Sequence, residues 1–327
     1  MTTPSRGLPI ALAVALVTTS PQARQRPAAN DQAAAPSVTP SAPARSRTPP
    51  RTSWGDPDLD GVWNYATLTP LERGRDMAGK DILSEEEATA LERQTIARRA
   101  TTNATAGPDW WDTGTAVLKN RRTSLVVDPP DGRVPPMTPE AQKRQAARAR
   151  PNRNNPEAPE DLALNERCLL WATAGPPMLP GVYNNNVQFI QTRDFIVIFN
   201  EMIHDARIVP MDGRPHGTVR RWMGDSRGRW EGQTLVVDTV HFIDKVNFRG
   251  SSENLHLVER FTRTSDDTLE YRFTVDDPTT WTRPWSADVA MTRIPGPIYE
   301  YACHEGNERS VVGSLSGTLA TSAPGNR

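Results

Sequence analysis

The chain has 327 residues, a formal net charge of −1 at pH 7 and two cysteines, and 36% of its residues are hydrophobic. This length suits one large domain or two small ones. The near-neutral charge, without a lysine and arginine run interleaved with aromatic residues, argues against a dedicated nucleic-acid surface.

The first 23 residues have the order of a secretory signal peptide. Arg6 precedes an apolar run from Leu8 to Val17 that is too short to span a bilayer, and small and polar residues follow it. Residues 24–53 are dominated by proline, alanine, serine, threonine and arginine, which predicts a flexible linker. We therefore expect a periplasmic or secreted protein without stable membrane insertion. A misassigned start or a disordered tail is the alternative, because a clean small-x-small cleavage site is missing.

The folded part is predicted to be one β-rich domain over residues 54–310, with a flexible tail over 311–327. A strand is expected over residues 62–68. Ser84 and Glu87 then form a capping box that predicts a helix with one narrow apolar stripe, made of Ala88, Leu91, Thr95 and Ile96. Such a stripe indicates a helix that packs on something larger.

Two short strands and a second helix complete the first half. The strands are expected at residues 115–116 and 124–127, and the helix from Thr138 to about Arg150. The arginines between Arg144 and Arg153 are interpreted as a solvated helix end and loop. The first half is thus predicted to be helix and loop draped on a sheet.

The second half consists of short segments with strand patterns, joined by turn signals. The predicted strands cover residues 187–192, 195–201, 206–210, 234–242, 255–263, 268–276, 287–292 and 298–303. About eight antiparallel strands with short turns predict closure, because a strongly twisted sheet of this size tends to curl up or split into two. The predicted fold is therefore mainly β, an antiparallel meander forming a lipocalin-like barrel with helical and loop decoration from the N-terminal half.

The two cysteines, Cys168 and Cys303, lie far apart and lack the spacing of a zinc site. In an exported protein they are natural disulfide partners. Closing so long a loop stabilises a fold by about 4 to 5 kcal/mol in the chain-entropy model. Two buried free thiols are the alternative.

Period-2 alternation places several ionisable side chains in line with apolar ones. In the segment LHLVERFTR, Glu259 shares a face with Leu257 and Phe261 and is predicted to point inward. The same pattern aligns further ionisable groups with apolar neighbours: Glu201 with Phe195, Val197 and Phe199, His241 with Leu235 and Val237, and Glu305 with Tyr299, Tyr301 and Cys303. A register error of one residue would reverse these assignments.

A buried carboxylate without a partner costs several kcal/mol or is kept neutral by a raised pKa, so it has either a partner or a function. We predict a catalytic group in which Glu259 has the raised pKa and Arg207 stabilises an anion. The full predicted set is Glu201, His204, Asp205, Arg207, His241 and Glu259. The alternative is that each acid is held by an arginine, for which Arg207, Arg263 and Arg283 are candidates.

Aromatic and amide residues gather in four short segments. Those predicted to bind a ligand by stacking and hydrogen bonding are Tyr183, Asn185, Trp222, Trp281 and Trp285. Tryptophans that simply fill the core are the alternative interpretation.

The sequence lacks the motifs of common cofactor and nucleophile sites. It contains no GxSxG, GxGxxG or Walker loop, and GDSRG at residues 224–228 is interpreted as a turn. No HExxH or His-x-His pair occurs, so we predict neither cofactor nor metal. Metal-assisted chemistry through His204, His256 and His304 stays as a third option.

Long strings of this chain resemble a large family of exported bacterial proteins with no firmly assigned activity. They include VYNNNVQFIQTRDFIVIFNEMIHDARIVPMDGRPH, MGDSRGRWEGQTLVVDT, TVDDPTTWTRPW and YEYACHEGN, and the resemblance spans most of residues 54–307. It implies export and a strand-rich domain, and it lends no catalytic residue.

We therefore expect an exported enzyme that performs cofactor-free acid–base chemistry, such as hydrolysis, elimination or isomerisation, in a barrel pocket. Its substrate would be a small aromatic or carbohydrate-derived molecule. The first alternative is a non-catalytic lipocalin-like protein that binds a small molecule, and the second is the metal-assisted enzyme. The sequence makes no prediction of oligomeric state.

Overall fold

A computed structural model of the chain describes residues 49–102, 114–148, 156–245, 248–308 and 311–316. The predicted signal peptide and most of the predicted linker lie outside the described residues. Residues 311–316 of the predicted tail are helical, and the rest of that tail is also outside the described residues. No helix in the described ranges is long and apolar enough to cross a bilayer.

The described residues are built around one antiparallel sheet of ten strands. The strands are β1 (Gly61–Asn64), β2 (Val126–Asp128), β3 (Asn186–Gln191), β4 (Phe195–Asn200), β5 (Ala206–Pro210), β6 (Asp225–Glu231), β7 (Thr234–Val240), β8 (His256–Arg263), β9 (Thr268–Asp276) and β10 (Trp285–Ile294). Their order is β5-β4-β3-β1-β10-β9-β8-β7-β6, and β2 pairs with β10 off this path. The mainly β, antiparallel prediction is confirmed.

The inner face of the sheet is filled by aromatic side chains. Neighbouring ring centroids lie 5.1 Å apart for Phe189 and Phe261, 4.7 Å for Phe261 and Tyr271, and 5.7 Å for Phe273 and Trp285. All five side chains are fully buried. The barrel prediction places a ligand pocket inside the sheet. These rings fill that space, so the interior is a packed core instead.

The two edge strands, β5 and β6, approach one another without forming a hydrogen-bonded ladder among the described residues. Eight successive antiparallel pairings separate them, so they run in the same direction. A Cβ atom at Gly228 of β6 would lie 2.9 Å from the Val209 Cγ1 of β5, and it would also collide with the Met211 sulfur. The edges therefore meet through side chains at a glycine, and the sheet is not closed into a barrel.

Burial alternates strictly along β8 and β9. On β8, Leu257, Glu259, Phe261 and Arg263 face inward, as the sequence pattern predicted for the first three. On β4 the prediction is wrong, because Ile196, Ile198 and Asn200 are the buried residues, whereas Phe195 is exposed. The segment FIVIF is apolar at every position, so alternation could not fix its register.

Four other element assignments are corrected. Strand β6 was interpreted as a series of turns, and β1 ends at residue 64 instead of 68. Residues 298–303 form no strand, so Glu305 is not aligned with Tyr299 and Tyr301, and it is exposed. Residues 115–116 likewise lie outside the strands. The sequence of β6 does alternate, but its inner positions are Ser226, Gly228 and Trp230, which do not produce an apolar stripe.

Two helices cover parts of the sheet. Helix α1 (Glu85–Thr102) begins with the predicted capping box: the Ser84 N–H donates to the Glu87 carboxylate at 2.8 Å, and the Glu87 N–H donates to the Ser84 hydroxyl at 3.2 Å. Helix α2 (Pro139–Arg148) begins at the Thr138 hydroxyl, which accepts the Ala141 N–H at 3.1 Å. The predicted continuation of α2 to residue 150 lies outside the described residues.

The basic end of α2 is attached to the protein. Arg144 donates to the Thr280 hydroxyl at 2.7 Å, and Arg148 donates to the Ser251 carbonyl at 3.0 Å and pairs with Asp244. These two arginines therefore anchor the helix and are not simply solvated.

The predicted disulfide between Cys168 and Cys303 is present, with a Cα–Cα distance of 5.8 Å. Nearby, the Asn307 side-chain amide donates to the Glu166 carbonyl at 2.7 Å. The bond joins two segments that belong to no strand, where few ladder hydrogen bonds hold the backbone.

Candidate functional site

Glu259 is fully buried inside the sheet and is held by three donors. Two Arg207 nitrogens donate to its two carboxylate oxygens, with the Nη2–Oε1 distance at 3.0 Å, and the Tyr271 hydroxyl donates to Oε1 at 2.8 Å. Tyr271 in turn accepts the Met178 N–H at 3.1 Å. Burial, and then the Glu259 charge, hold the pKa of Tyr271 well above its usual range, so the hydroxyl stays a donor.

This arrangement fits the alternative interpretation, in which Glu259 is held by an arginine. A carboxylate that accepts a bidentate guanidinium and a phenol has no oxygen directed at a free space. The predicted general acid and its predicted anion stabiliser, Arg207, are thus partners of each other.

Glu201 occupies a different environment, just after β4. Its carboxylate accepts the Asn186 side-chain amide at 2.6 Å and the Tyr299 backbone N–H at 3.0 Å, and its side chain is buried. Burial raises the pKa of Tyr65, and the charge of Glu201 raises it further. Glu201 is therefore hydrogen-bonded by neutral groups in a buried environment.

The turn that follows Glu201 has an unusual backbone. Ile203 and His204 both have positive φ angles, 61° and 48°. A left-handed conformation is uncommon for any residue with a Cβ atom and rare for a β-branched one. Strain of this kind is often concentrated at functional sites.

Asp205 ends the same turn. Burial raises its pKa to about 6, although the nearby His204 acts in the opposite direction. Its Oδ2 atom and the Oδ1 atom of Asn200 are buried and have no hydrogen-bond partner among the described residues. Asp205 therefore changes its charge near neutral pH and carries an uncompensated desolvation cost.

His204 is exposed on the outer side of this turn. Its Nδ1 lies 3.0 Å from the Tyr301 carbonyl oxygen, and its ring centroid is 6.2 Å from that of His304. His256, the third residue of the metal-assisted option, bonds to Asp238 through its Nε2. In the described ranges no group of three or more histidine, cysteine or acidic side chains is arranged to hold a metal ion.

His241 lies beside a network that the sequence analysis did not identify. Its ring centroid is 6.3 Å from that of His216, whose Nδ1 is 3.3 Å from an Asp225 oxygen and whose Nε2 is 2.9 Å from an Asp238 oxygen. The second Asp238 oxygen is 2.9 Å from the His256 Nε2. The two aspartates and two histidines thus form a chain on the outer face of β6, β7 and β8.

The pKa values in this network follow from its hydrogen bonds. The bond from His256 lowers the pKa of Asp238, and the same bond raises the pKa of His256. Burial alone would raise the pKa of Asp225, but the Gly217 N–H and the Arg227 guanidinium outweigh it and keep that pKa below its usual value. The alternation of β7 and β8 could have revealed this chain, since Asp238 and His256 both fall on outer positions.

The residues predicted to bind a ligand are dispersed. Trp281 and Trp285 are buried in the aromatic core, where their rings lie 5.9 Å apart. Trp222 lines a cavity of about 520 Å³ where β5 and β6 meet, together with Arg207 and Arg227. These two arginines are already paired, with Glu259 and Asp225 respectively.

A large cavity lies outside the sheet, beneath α1. Its volume is about 840 Å³, within the usual range of small-molecule sites. Helix α1 contributes Leu91 and Thr95, and the other walls come from segments 67–77, 117–125 and 171–182. The apolar lining residues are Leu68, Pro70, Leu71, Met77, Leu83, Leu91, Val117, Leu125, Trp171, Leu179, Pro180 and Val182.

Two predicted ligand-binding residues support one wall of this cavity from behind. The Tyr183 ring contacts that of Trp171, with centroids 5.8 Å apart, and it stacks on Tyr301. Asn185 accepts the Gly181 N–H at 2.6 Å through its side-chain oxygen. Trp171 and Gly181 themselves line the cavity.

We predict that Glu259→Gln lowers the free energy of unfolding by about 3 to 5 kcal/mol, because it leaves the Arg207 charge buried without its partner. Urea denaturation followed by tryptophan fluorescence measures this loss. Replacing both residues, as Glu259→Leu with Arg207→Met, should recover most of it. Glu231→Gln, which removes an exposed ion pair with Arg260, is the control and should change the midpoint little. A Glu259→Gln protein as stable as the original would contradict the partnership.

A second prediction concerns Asp238→Asn. The raised pKa of His256 contributes stability that is present below the unfolded value of about 6.5 and is lost as pH rises through the folded value. The lowered pKa of Asp238 contributes stability that is present above about 3.9 and is lost as pH falls through its folded value. The destabilisation by Asp238→Asn should therefore be greatest between about pH 4 and 6.5 and smaller at pH 9.

Unfolding measured across this pH range tests the prediction, together with an NMR titration in which the His256 pKa should fall. Asp288→Asn is the control, because Asp288 lies on the outer face of β10 and pairs with Arg272. The destabilisation by this variant should not depend on pH above 5. An equal loss from Asp238→Asn at all pH values would count against the network.

Comparison with models of known protein families and with functionally curated proteins finds no match to this chain. The geometry of the described residues is therefore the basis for an assignment of function. It offers a closed ion pair inside the sheet, a strained acidic turn after β4 and an apolar cavity beneath α1.

Proposed function

We propose that this protein is an exported binding protein that holds a small, mainly aliphatic molecule in the cavity beneath α1. The observation that carries the proposal is the cavity itself, about 840 Å³ in volume with predominantly aliphatic walls. Burying apolar ligand surface there would contribute roughly 25 cal/mol per Å². The disulfide between Cys168 and Cys303 supports export, since such bonds persist in oxidising compartments.

This proposal does not rest on a lipocalin-like barrel. A lipocalin-like barrel would hold its ligand inside the closed sheet. Here the aromatic core fills the interior, and the ligand would lie outside the strands, between α1 and the connecting segments 67–77, 117–125 and 171–182. The fixed Glu259 is consistent with a binding protein, because no acid–base role is required of it.

Leu91→Trp should place a bulky ring inside the cavity and weaken the binding of a neutral, solvent-sensitive dye such as Nile red at least about tenfold, a loss of roughly 1.4 kcal/mol. Leu91 lines the cavity from α1, whereas Gln94 is exposed on another side of the same helix. Gln94→Trp is therefore the matched control and should bind the dye as the unmodified protein does. Fluorescence titration measures the dye affinity of each variant, and thermal midpoints show whether each variant is folded. Failure of the unmodified protein to bind the dye would overturn the proposal.

A second candidate function is acid–base catalysis at the turn from Glu201 to Asp205. The observation that favours it is the Asp205 carboxyl, whose pKa of about 6 suits proton transfer near neutral pH. Its strained surroundings and partnerless oxygen are a cost that a purely structural residue would not retain.

Asp205→Asn tests this candidate in two ways. A carboxyl whose pKa is raised on folding weakens the folded state when it ionises, so the variant should be more stable than the original at pH 8 and not at pH 4.5. Asp194→Asn, at an exposed turn residue, should show no such gain.

In a screen of chromogenic esters and glycosides, any activity should rise or fall through pH 6 and be lost in Asp205→Asn. Activity that survives this change would exclude the turn as its source.

A further inference from the structure

The cavity beneath α1 is apolar on most of its walls but carries guanidinium groups from three parts of the chain. Arg98 and Arg99 come from α1, Arg122 precedes β2, and Arg249 lies in the connection between β7 and β8. One carboxylate, Asp76, is among the lining residues. The lining thus has a net positive charge.

These arginines are not equally compensated. Arg249 donates to the Glu72 carboxylate at 2.8 Å, and Arg99 donates to the Gly114 carbonyl at 2.7 Å. The Nε of Arg122 is buried and has no hydrogen-bond acceptor among the described residues. A buried donor without an acceptor is costly, and a charged one more so.

The Arg99 guanidinium is also in an unfavourable environment. Burial lowers its pKa, and the neighbouring charge of Arg98 lowers it further. A nearby anion would offset both effects, because it adds an attractive charge beside two positive ones. Arg122 also lines the cavity and would add a further positive charge beside such an anion.

We propose that the ligand of this cavity is an aliphatic carboxylate. Its carboxylate would be bound by Arg122 together with Arg99, and its chain would lie along Leu83, Leu91, Leu125 and Leu179. Arginine is suited to this role because its planar fork matches the two oxygens of a carboxylate. Branched aliphatic walls favour a flexible hydrocarbon body over a planar aromatic one. This inference rests on the proposed binding function and adds the chemical class of the ligand.

The experiment compares decanoate with 1-decanol, which share a chain length and differ in charge. Each is titrated against the purified full-length protein with Nile red bound, and displacement is followed by fluorescence. We expect decanoate to displace the dye at about tenfold lower concentration, as an added charge-assisted hydrogen bond implies.

Three variants locate the effect. Arg122→Gln should weaken decanoate binding about tenfold and leave 1-decanol unchanged, and Arg122→Lys should restore part of the loss because it keeps the charge. Arg93→Gln removes the same charge from an exposed position of α1 outside the cavity and should affect neither ligand. Equal weakening by Arg122→Gln and Arg93→Gln would overturn the assignment of the carboxylate to Arg122.

The outcomes separate this inference from the proposed function. If decanoate and 1-decanol displace the dye equally, the carboxylate proposal fails while the cavity remains a binding site. If neither ligand displaces the dye, and Leu91→Trp does not weaken the binding of the dye, both proposals fail. Thermal unfolding of each variant shows whether a loss of binding reflects a loss of folding.

Discussion

The buried interaction of Glu259 with Arg207 and Tyr271 determines what the inside of the sheet can do. It joins edge strand β5 to β8 and β9, across an interior that the aromatic side chains otherwise fill. Two desolvated charges can remain there only because their hydrogen bonds are satisfied. The carboxylate and the guanidinium are thus bound to each other inside a packed core, and the proposed ligand site lies outside it.

Such a network is weak evidence for stability but stronger evidence for specificity. A buried ion pair can often be replaced by apolar residues at little cost, whereas a slipped β5 would separate both charges in a medium of low dielectric constant. This matters because β5 lacks a ladder partner on its second edge among the described residues. Arg207 therefore helps to fix the register of β5, which hydrogen bonding along that edge does not fix.

The sequence predicts the sheet well where one face is apolar and the other polar. Leu257, Glu259 and Phe261 could be assigned inward because His256, Arg260 and Thr262 place most polar residues on the opposite face of β8. The register of β4 could not be predicted because both of its faces are apolar. Strand β6 was not predicted because its small and charged residues leave no apolar stripe. The choice between a catalytic and a paired Glu259 depended on Arg207, which lies 52 positions away, and only the fold brings the two together.

The cavity beneath α1 lies beyond sequence patterns for a related reason, since its walls come from five separate parts of the chain. The narrow stripe on α1 is only partly covered, because Ala88 is buried and Leu91 and Thr95 line the cavity, whereas Ile96 is exposed. The arginines at the end of α1 had the ordinary interpretation of charges that offset the helix dipole. The disulfide adds a reason for the cavity to persist. Cys168 lies three positions before Trp171, so the covalent bond to residue 303 anchors a wall that no strand supports.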